Sequence, residues 1–301
     1  MSKIIQALEK AKKEGGLQQT AGAVDERETL GPLVSAPETA APAQPVRERK
    51  RRSRRRPVLV TAKALDPEVL RAADPHLDAL HRPMSVAAEQ YRALRQRLEG
   101  LSAEAGMRTI AITSAAKGEG KSLTAVNLAA TLAQDATRHI LLVDADLRRP
   151  HVHELLGLGL SPGLGEYLQG TVPREAVIRE TPFFGLCVAT AGAVQGHPAE
   201  LLASPEWEEF IARSRAEFDY VIVDTPPLHP VSDVPFLAAS VDGVLVVVRA
   251  GKTSKSLLKQ TLETLPPGKV LGTVLNRVES LTGRFGYGSN YGPAGYYYGY
   301  S

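Results

Sequence analysis

The stretch Ser114-Ala-Ala-Lys-Gly-Glu-Gly-Lys-Ser122 constrains the fold more than any other, because it joins two elements of different period. The apolar run Thr109–Thr113 before it reads as a strand, and Ser122–Gln134 after it reads as a helix. Further buried-type runs recur at Ile140–Val143, Leu186–Ala189, Tyr220–Val223, Val244–Val248 and Val270–Leu275. Helical stretches separate most of them: Glu206–Phe218, Val234–Ala239 and Ser254–Leu265. Strands that are apolar on both faces, alternating with helices, predict an α/β fold, a mostly parallel central sheet flanked by helices on both faces. No internal repeat is present.

A glycine-bearing loop between strand and helix is where a phosphate can bind. Gly118 and Gly120 let the backbone approach the phosphates, while successive amides and the helix N-terminus offer partial positive charge. Lys121 would reach the β- and γ-oxygens, and the Ser122 hydroxyl would ligate Mg²⁺. Ala115 stands where the GxxxxGK[ST] pattern has its first glycine, so the match is incomplete. The expected nucleotide contacts are Ala116, Lys117, Gly118, Glu119, Gly120, Lys121, Ser122 and Leu123.

Two strand ends are acidic. Leu141-Leu-Val-Asp-Ala-Asp146 ends in Asp144 and Asp146, and Tyr220-Val-Ile-Val-Asp224 ends in Asp224. Ligands of open parallel sheets bind outside the carboxyl ends of the strands, so the three carboxylates should converge on the loop. They could hold Mg²⁺ directly or through water, and one could orient or deprotonate an incoming hydroxyl. Asn276 and Arg277, ending the last strand, are expected near the base.

The ends of the chain differ in character from its body. Residues 1–14 place Ile4, Leu8 and Ala11 at helical spacing among lysines, an amphipathic helix that would form against a partner or a membrane surface. Residues 15–81 read mostly as a disordered linker holding a basic block, Arg47–Arg56, eight of ten residues being basic. Residues 1–57 contain 13 Lys/Arg against 7 Asp/Glu, although the whole chain carries only +3. Without interleaved aromatics, the block fits an anionic membrane better than specific nucleic-acid recognition. An ordered domain is expected over 82–282, opening with a helix from His81 to Leu98 behind Pro83 and capped by Ser85. The single cysteine, Cys187, lies in an apolar run and reads as a buried strand thiol. No apolar run approaches a membrane span and the N-terminus has no signal-peptide pattern, so a cytoplasmic setting is expected.

Six of the nine tyrosines lie in the last fifteen residues: Tyr287, Tyr291, Tyr296, Tyr297, Tyr298 and Tyr300. Glycines separate them, so residues 283–301 cannot build a core of their own. Beside a nucleotide site, the tail reads as a substrate carried by its own enzyme, or else as an adhesive low-complexity segment.

These residues together resemble the bacterial tyrosine kinases of capsule and exopolysaccharide gene clusters, in their cytoplasmic autokinase form. The match runs from about Arg82 to Arg277 and includes GEGKS at Gly118–Ser122, DADLRRP at Asp144–Pro150 and VIVDTPP at Val221–Pro227. PAELL at Pro198–Leu202, Ser232–Asp233 and LGTVLNRV at Leu271–Val278 extend it. The first fourteen residues are similar to the start of autokinases from exosortase-associated polysaccharide clusters. The resemblance implies a P-loop NTPase fold related to ATPases that position division sites and partition chromosomes. The signature lysine of those ATPases falls here on Ala116, and Lys117 stands one place later.

It further implies ATP and Mg²⁺ as cofactors, with Lys121 on the phosphates and Ser122, Asp146 and Asp224 in or behind the metal shell. Asp144 is the first candidate to accept the tyrosine proton, although the sequence does not order Asp144 and Asp146. Glu89, Arg92 and Arg95 match an ExxRxxR pattern that contacts a neighbouring subunit in a ring. At about 100° per residue, Arg92 can pair with Glu89, and Arg95 lies further round, toward another chain. The implied partners are copies of itself, with the tail acting in trans, a separate membrane polysaccharide co-polymerase that recruits it to the inner face of the membrane, and a tyrosine phosphatase. The competing reading is a non-kinase P-loop ATPase switch that positions a cargo and releases phosphate without forming phosphotyrosine.

Overall fold

The computed structural model describes residues 67–229 and 234–278, apart from the side chains of Pro67, Val69, Pro235 and Phe236. The expected N-terminal helix, the basic block, Ser232–Asp233 and the tail tyrosines lie outside the described residues.

Strands β1 (Thr109–Ser114), β2 (Ile140–Asp144) and β5 (Tyr220–Asp224) are buried at every residue, and β6 (Gly243–Arg249) is buried as far as Val248. With β3 (Ile178–Glu180), β4 (Cys187–Ala189) and β7 (Val270–Asn276) they form one seven-stranded sheet in the order β3-β4-β2-β5-β1-β6-β7. Every neighbouring pair is parallel except β3 and β4. Side chains of a strand alternate between faces, and here each face has its own apolar layer. Ile110, Ile112, Leu142, Ile222 and Val247 meet Ala125, Leu128, Ala129 and Leu132 of helix α4 (Lys121–Ala133). Ala111, Leu141, Val143, Val223 and Val246 face the opposite layer, which includes Trp207, Phe210 and Ile211 of helix α9 (Pro205–Glu217). Both faces being dry is why these strands read as near-continuous apolar runs, and the expected parallel sheet is found.

Ser204 caps α9 through the Trp207 amide at 3.4 Å, and the Trp207 indole N–H donates to Ser240 at 3.0 Å. Ser85 caps α3 (Val86–Ala105) as expected, accepting the Ala88 amide at 3.1 Å. The helix runs on to Ala105 rather than ending at Leu98, and stops where Gly106 turns left-handed, φ 66°.

Order is also described N-terminal to residue 82. Residues 67–81 form helices α1 (Pro67–Ala72) and α2 (Asp78–His81), and Leu77, Ala79 and Leu80 are buried in the α4 layer. The buried Asn127 of α4 holds this segment: its Oδ1 accepts the Ala79 amide at 3.0 Å and its Nδ2 donates to the His76 carbonyl at 3.4 Å. Gln134 Nε2 donates to the Ala79 carbonyl at 3.1 Å. Between β2 and β5 lie short elements the periodicity does not reveal: α5 (Val152–Leu156), α6 (Leu164–Leu168), α7 (Arg174–Val177), β3 and α8 (Pro198–Leu202). Helices α10 (Val234–Ser240) and α11 (Lys255–Thr264) complete the layers. Among the described residues no helix is long and apolar enough to cross a membrane.

Candidate nucleotide site

The loop that leaves β1 turns through two left-handed glycines, Gly118 at φ 80° and Gly120 at φ 95°, before α4 begins at Lys121. A side chain at either position would strain the backbone. At Gly120 it would also collide, since a Cβ there would lie 2.0 Å from Asn276 Nδ2. The Asn276 amide donates to the Glu119 carbonyl at 2.8 Å. In a trans peptide the C=O and the following N–H point opposite ways, so this bond turns the Gly120 N–H away from Asn276. Lys117 and Gly118 form a turn that directs the Glu119 N–H toward the Ala116 carbonyl, whereas the backbone N–H groups of Lys117, Gly118, Gly120, Lys121 and Ser122 donate to no acceptor among the described residues. A row of unpartnered amides at a helix N-terminus is an anion cradle.

Beneath the cradle, the Lys121 ammonium stands 2.7 Å from Asp146 Oδ2, 3.1 Å from Ser122 Oγ and 3.6 Å from Asp224 Oδ2. The sheet brings these groups together, for Asp144 and Asp224 are register partners at the ends of β2 and β5. Burial would lower the Lys121 ammonium, but Asp224 and Asp146 outweigh it and hold the lysine above its ordinary range. Burial pushes Asp144 up to about 8, with the Asp224 charge adding to the effect. Burial raises Asp224 as well, against the pull of Lys121.

The two carboxylates differ in what they hold. Asp144 Oδ1 accepts the Asp146 amide, and its Oδ2 accepts the amides of His151 and Val152, each at 3.1 Å. Both its oxygens thus accept amides of its own turn. Asp146 is oriented by that turn, with Oδ1 on the Arg149 amide at 3.1 Å and Oδ2 on Lys121. The Ser122 hydroxyl and Lys121 face Asp224, yet neither Asp224 oxygen closes a hydrogen bond. A fully buried carboxylate with no hydrogen bond has acceptor capacity left for a ligand or an ion-bound water.

Several expected contacts are placed differently. The Glu119 side chain turns inward, 4% exposed: its Oε2 accepts the Ala116 amide at 3.1 Å and its Oε1 accepts the Thr253 hydroxyl. Leu123 packs on the α4 layer, and Lys117 is exposed. Asn276 braces the loop, and its Oδ1 accepts the Arg277 amide at 2.8 Å, while Arg277 itself is exposed. Glu89 and Arg92 pair as expected, and Arg92 also donates to the Pro83 carbonyl. Arg95 does not face outward: its guanidinium donates to the Thr131 carbonyl of α4 at 3.1 Å and lies 3.4 Å from Glu99. Helical azimuth alone does not show that α4 packs on that side of α3. Cys187 is half-buried, and burial pushes its thiol up to about 11. Thr253 escaped sequence reasoning, because nothing local marks a hydroxyl 134 residues from its partner.

A family model for the CobQ/CobB/MinD/ParA nucleotide binding domain matches residues 110–284. The tyrosine-protein kinase YwqD of Bacillus subtilis is 38% identical over 200 residues, covering 66% of this chain and 84% of YwqD. ExoP of Rhizobium meliloti, a succinoglycan biosynthesis transport protein, is 38% identical over 202 residues. That match covers 65% of this chain, and the chain spans only 26% of ExoP's length. Among solved structures, the kinase domain of the Escherichia coli tyrosine kinase ETK superposes with a TM-score of 0.65 at 32% identity. It covers 72% of this chain and 86% of the ETK domain.

Proposed function

The chain belongs to the bacterial tyrosine-protein kinases, and on that premise we propose that it uses ATP and Mg²⁺ to phosphorylate its own C-terminal tyrosines. The observation that carries this reading is one largely buried ammonium, Lys121, held between Asp146 and Asp224 below a loop of mostly unpartnered amides. The loop fits the phosphates of a nucleotide. Mg²⁺ fits the acidic side, where Ser122, Asp146 and Asp224 offer the oxygen donors it prefers. Asp224, buried without a hydrogen bond, is the observation that supports it. These residues do not close a metal cage alone, since no group of three or more His, Cys, Asp or Glu among the described residues could hold an ion. The remaining ligands would be phosphate oxygens and water.

When bound, Mg²⁺ would neutralise charge that develops on the transferred phosphoryl group. The residues of the chain do the rest. The loop amides and Lys121 align the phosphates, and one carboxylate of the Asp144–Asp146 turn, in which Asp144 Oδ1 accepts the Asp146 amide, orients the tyrosine hydroxyl and takes its proton. The bond between the γ-phosphorus and the bridging oxygen breaks as the phenolic oxygen attacks, leaving ADP and phosphotyrosine without a covalent enzyme intermediate.

The tail of a neighbouring copy supplies the acceptor, and Glu89 with Arg92 contributes to that contact. ExoP, named for succinoglycan transport, supports assigning the chain to the control of exopolysaccharide synthesis and export. Recruitment to the membrane would fall to a separate co-polymerase contacting residues 1–14 or the basic block, and reversal to a tyrosine phosphatase. The test is incubation of the full chain with Mg²⁺ and γ-labelled ATP, followed by mass spectrometry of the C-terminal peptide, with Lys121→Met as control. Phosphotyrosine within 287–300 that vanishes in the control is expected. Steady phosphate release with an unlabelled tail would instead favour the cargo-positioning ATPase.

A further inference from the structure

We propose that Glu119 and Thr253 form a latch that keeps the phosphate-binding loop in its anion-accepting shape, an inference that rests on the nucleotide-site reading above. Glu119 sits between the two left-handed glycines and should by type face water, yet it is 4% exposed. Three bonds hold it there. Its carboxylate takes the Ala116 amide on one oxygen and the Thr253 hydroxyl on the other, and its carbonyl takes the Asn276 amide. Thr253 is fixed in turn: its hydroxyl oxygen accepts the Arg249 amide at 3.1 Å, and its own amide donates to the Arg249 carbonyl at 3.1 Å. The Ala250 amide donates to the Asn276 carbonyl at 2.9 Å, so both anchors belong to one braced sheet edge at the ends of β6 and β7.

The geometry gives Glu119 two consequences for the loop. By occupying the Ala116 N–H it marks the boundary of the free donors, which begin at Lys117. By fixing both ends of the peptide that bears the Gly120 N–H, the latch and Asn276 hold that donor away from the β7 side. A glycine loop without such anchors would sample many shapes and would have to be ordered by the phosphate, at a cost to affinity. Glu119 and Thr253 are therefore positioning residues that act through the loop amides, and Thr253 lies on a surface turn whose Gly251 and Lys252 are exposed.

The full chain is compared with Thr253→Val, which keeps the shape without the hydroxyl, and Thr253→Ser, which keeps the hydroxyl, with Mg·ADP as probe. Loss of a bond to a charged acceptor is expected to weaken Mg·ADP by about tenfold in Thr253→Val, with Thr253→Ser near the unaltered chain. Amide exchange over residues 116–120 should quicken in the valine variant while exchange in β1 and β5 stays as it was. Equal Mg·ADP affinity in Thr253→Val, or an equal loss in Thr253→Ser, overturns the latch and leaves the nucleotide site standing. An unaltered chain that binds no Mg·ADP removes both. Should Thr253→Val not fold, Glu119→Gln carries the same comparison, its weaker acceptor giving the same direction of change.

Discussion

Asp144 and Asp224 face each other as register partners on adjacent parallel strands, and neither exposes any surface to water. Two carboxyls so placed resist ionising together. Asp144, ordinarily near 3.8, is pushed up to about 8 by burial and by the Asp224 charge. Between those values the folded chain keeps a proton that the unfolded chain gives up. Stability must therefore fall as pH rises through that window. Melting of the ligand-free protein should occur at a higher temperature at pH 5 than at pH 8. Asp224→Asn should reduce the difference by removing the neighbouring charge while burial keeps part of it, and a slope unchanged in that variant would count against the pairing.

Lys121 is the cation that makes this pair tolerable. Replacing it with methionine leaves Asp146 and Asp224 without an ammonium at 2.7 and 3.6 Å. Removing one partner of a buried ionic cluster costs roughly 3 kcal/mol when the rest stays charged. The carboxyls of Lys121→Met can escape that cost by keeping protons, which is easier at low pH. The variant should lose little stability at pH 5 and much more at pH 8, read by urea denaturation at each pH. A loss of equal size at both would show that the ammonium is not answering these charges.

The central strands and the three aspartates were legible in the sequence because the sheet buries both faces and ends its strands at one edge. β1, β2, β5 and β6 leave no polar alternation to confuse the reading, and parallel order then delivers Asp144, Asp146 and Asp224 to the loop. β3 was not legible: three residues long, antiparallel and half-exposed, it includes Arg179 and Glu180 and has no pattern of its own. Glu119 shows the limit at the site. Its residue type fits a solvated loop, and one of the groups that hold it inward is a hydroxyl 134 residues away.

The segment 67–81 marks the same limit at the domain edge, since its few apolar residues are held by Asn127 of α4 and by Gln134 just beyond it, which no local pattern shows. Asn127→Ala should leave the buried Ala79 amide without its acceptor, at about 1–3 kcal/mol. Protease cleavage within 67–81 should quicken more than cleavage in β1. A chain beginning at residue 82 should melt lower than one beginning at residue 67, because Leu77 and Leu80 would no longer cover the α4 layer. Equal melting of the two chains would return the segment to the linker.

Arg95 tests which contacts of α3 belong to the folded chain. Its bond to the Thr131 carbonyl joins α3 to the helix that begins at Lys121. Arg95→Ala should lower the stability of the unassembled protein by about 1 kcal/mol in urea denaturation, whereas Glu89→Ala, on a pair that is largely exposed, should change it by a few tenths. If Arg95→Ala leaves monomer stability untouched and alters only self-association, the internal bond contributes nothing and the outward reading from helical angle is restored.

The tail tyrosines can reach the site of another copy. From Arg277 to the tyrosines at 287–300 there are 10 to 23 residues, which fully extended span roughly 30–80 Å. That is long enough to bring a phenol to the site of another copy. Each phosphate adds about −1.5 to −2 charges, so a fully modified tail would carry on the order of ten. Self-repulsion would then favour its release and dispersal of the assembly. Replacing all six tail tyrosines with phenylalanine removes the acceptor oxygens while keeping the rings. Mg·ADP affinity should be unchanged and phosphotyrosine nearly absent. Mixing this variant with Lys121→Met, which keeps the tail and lacks the phosphate-binding lysine, should restore labelling on the Lys121→Met chains alone. Restored labelling would establish transfer between copies; undiminished labelling of the six-phenylalanine chain by itself would remove the tail as the substrate.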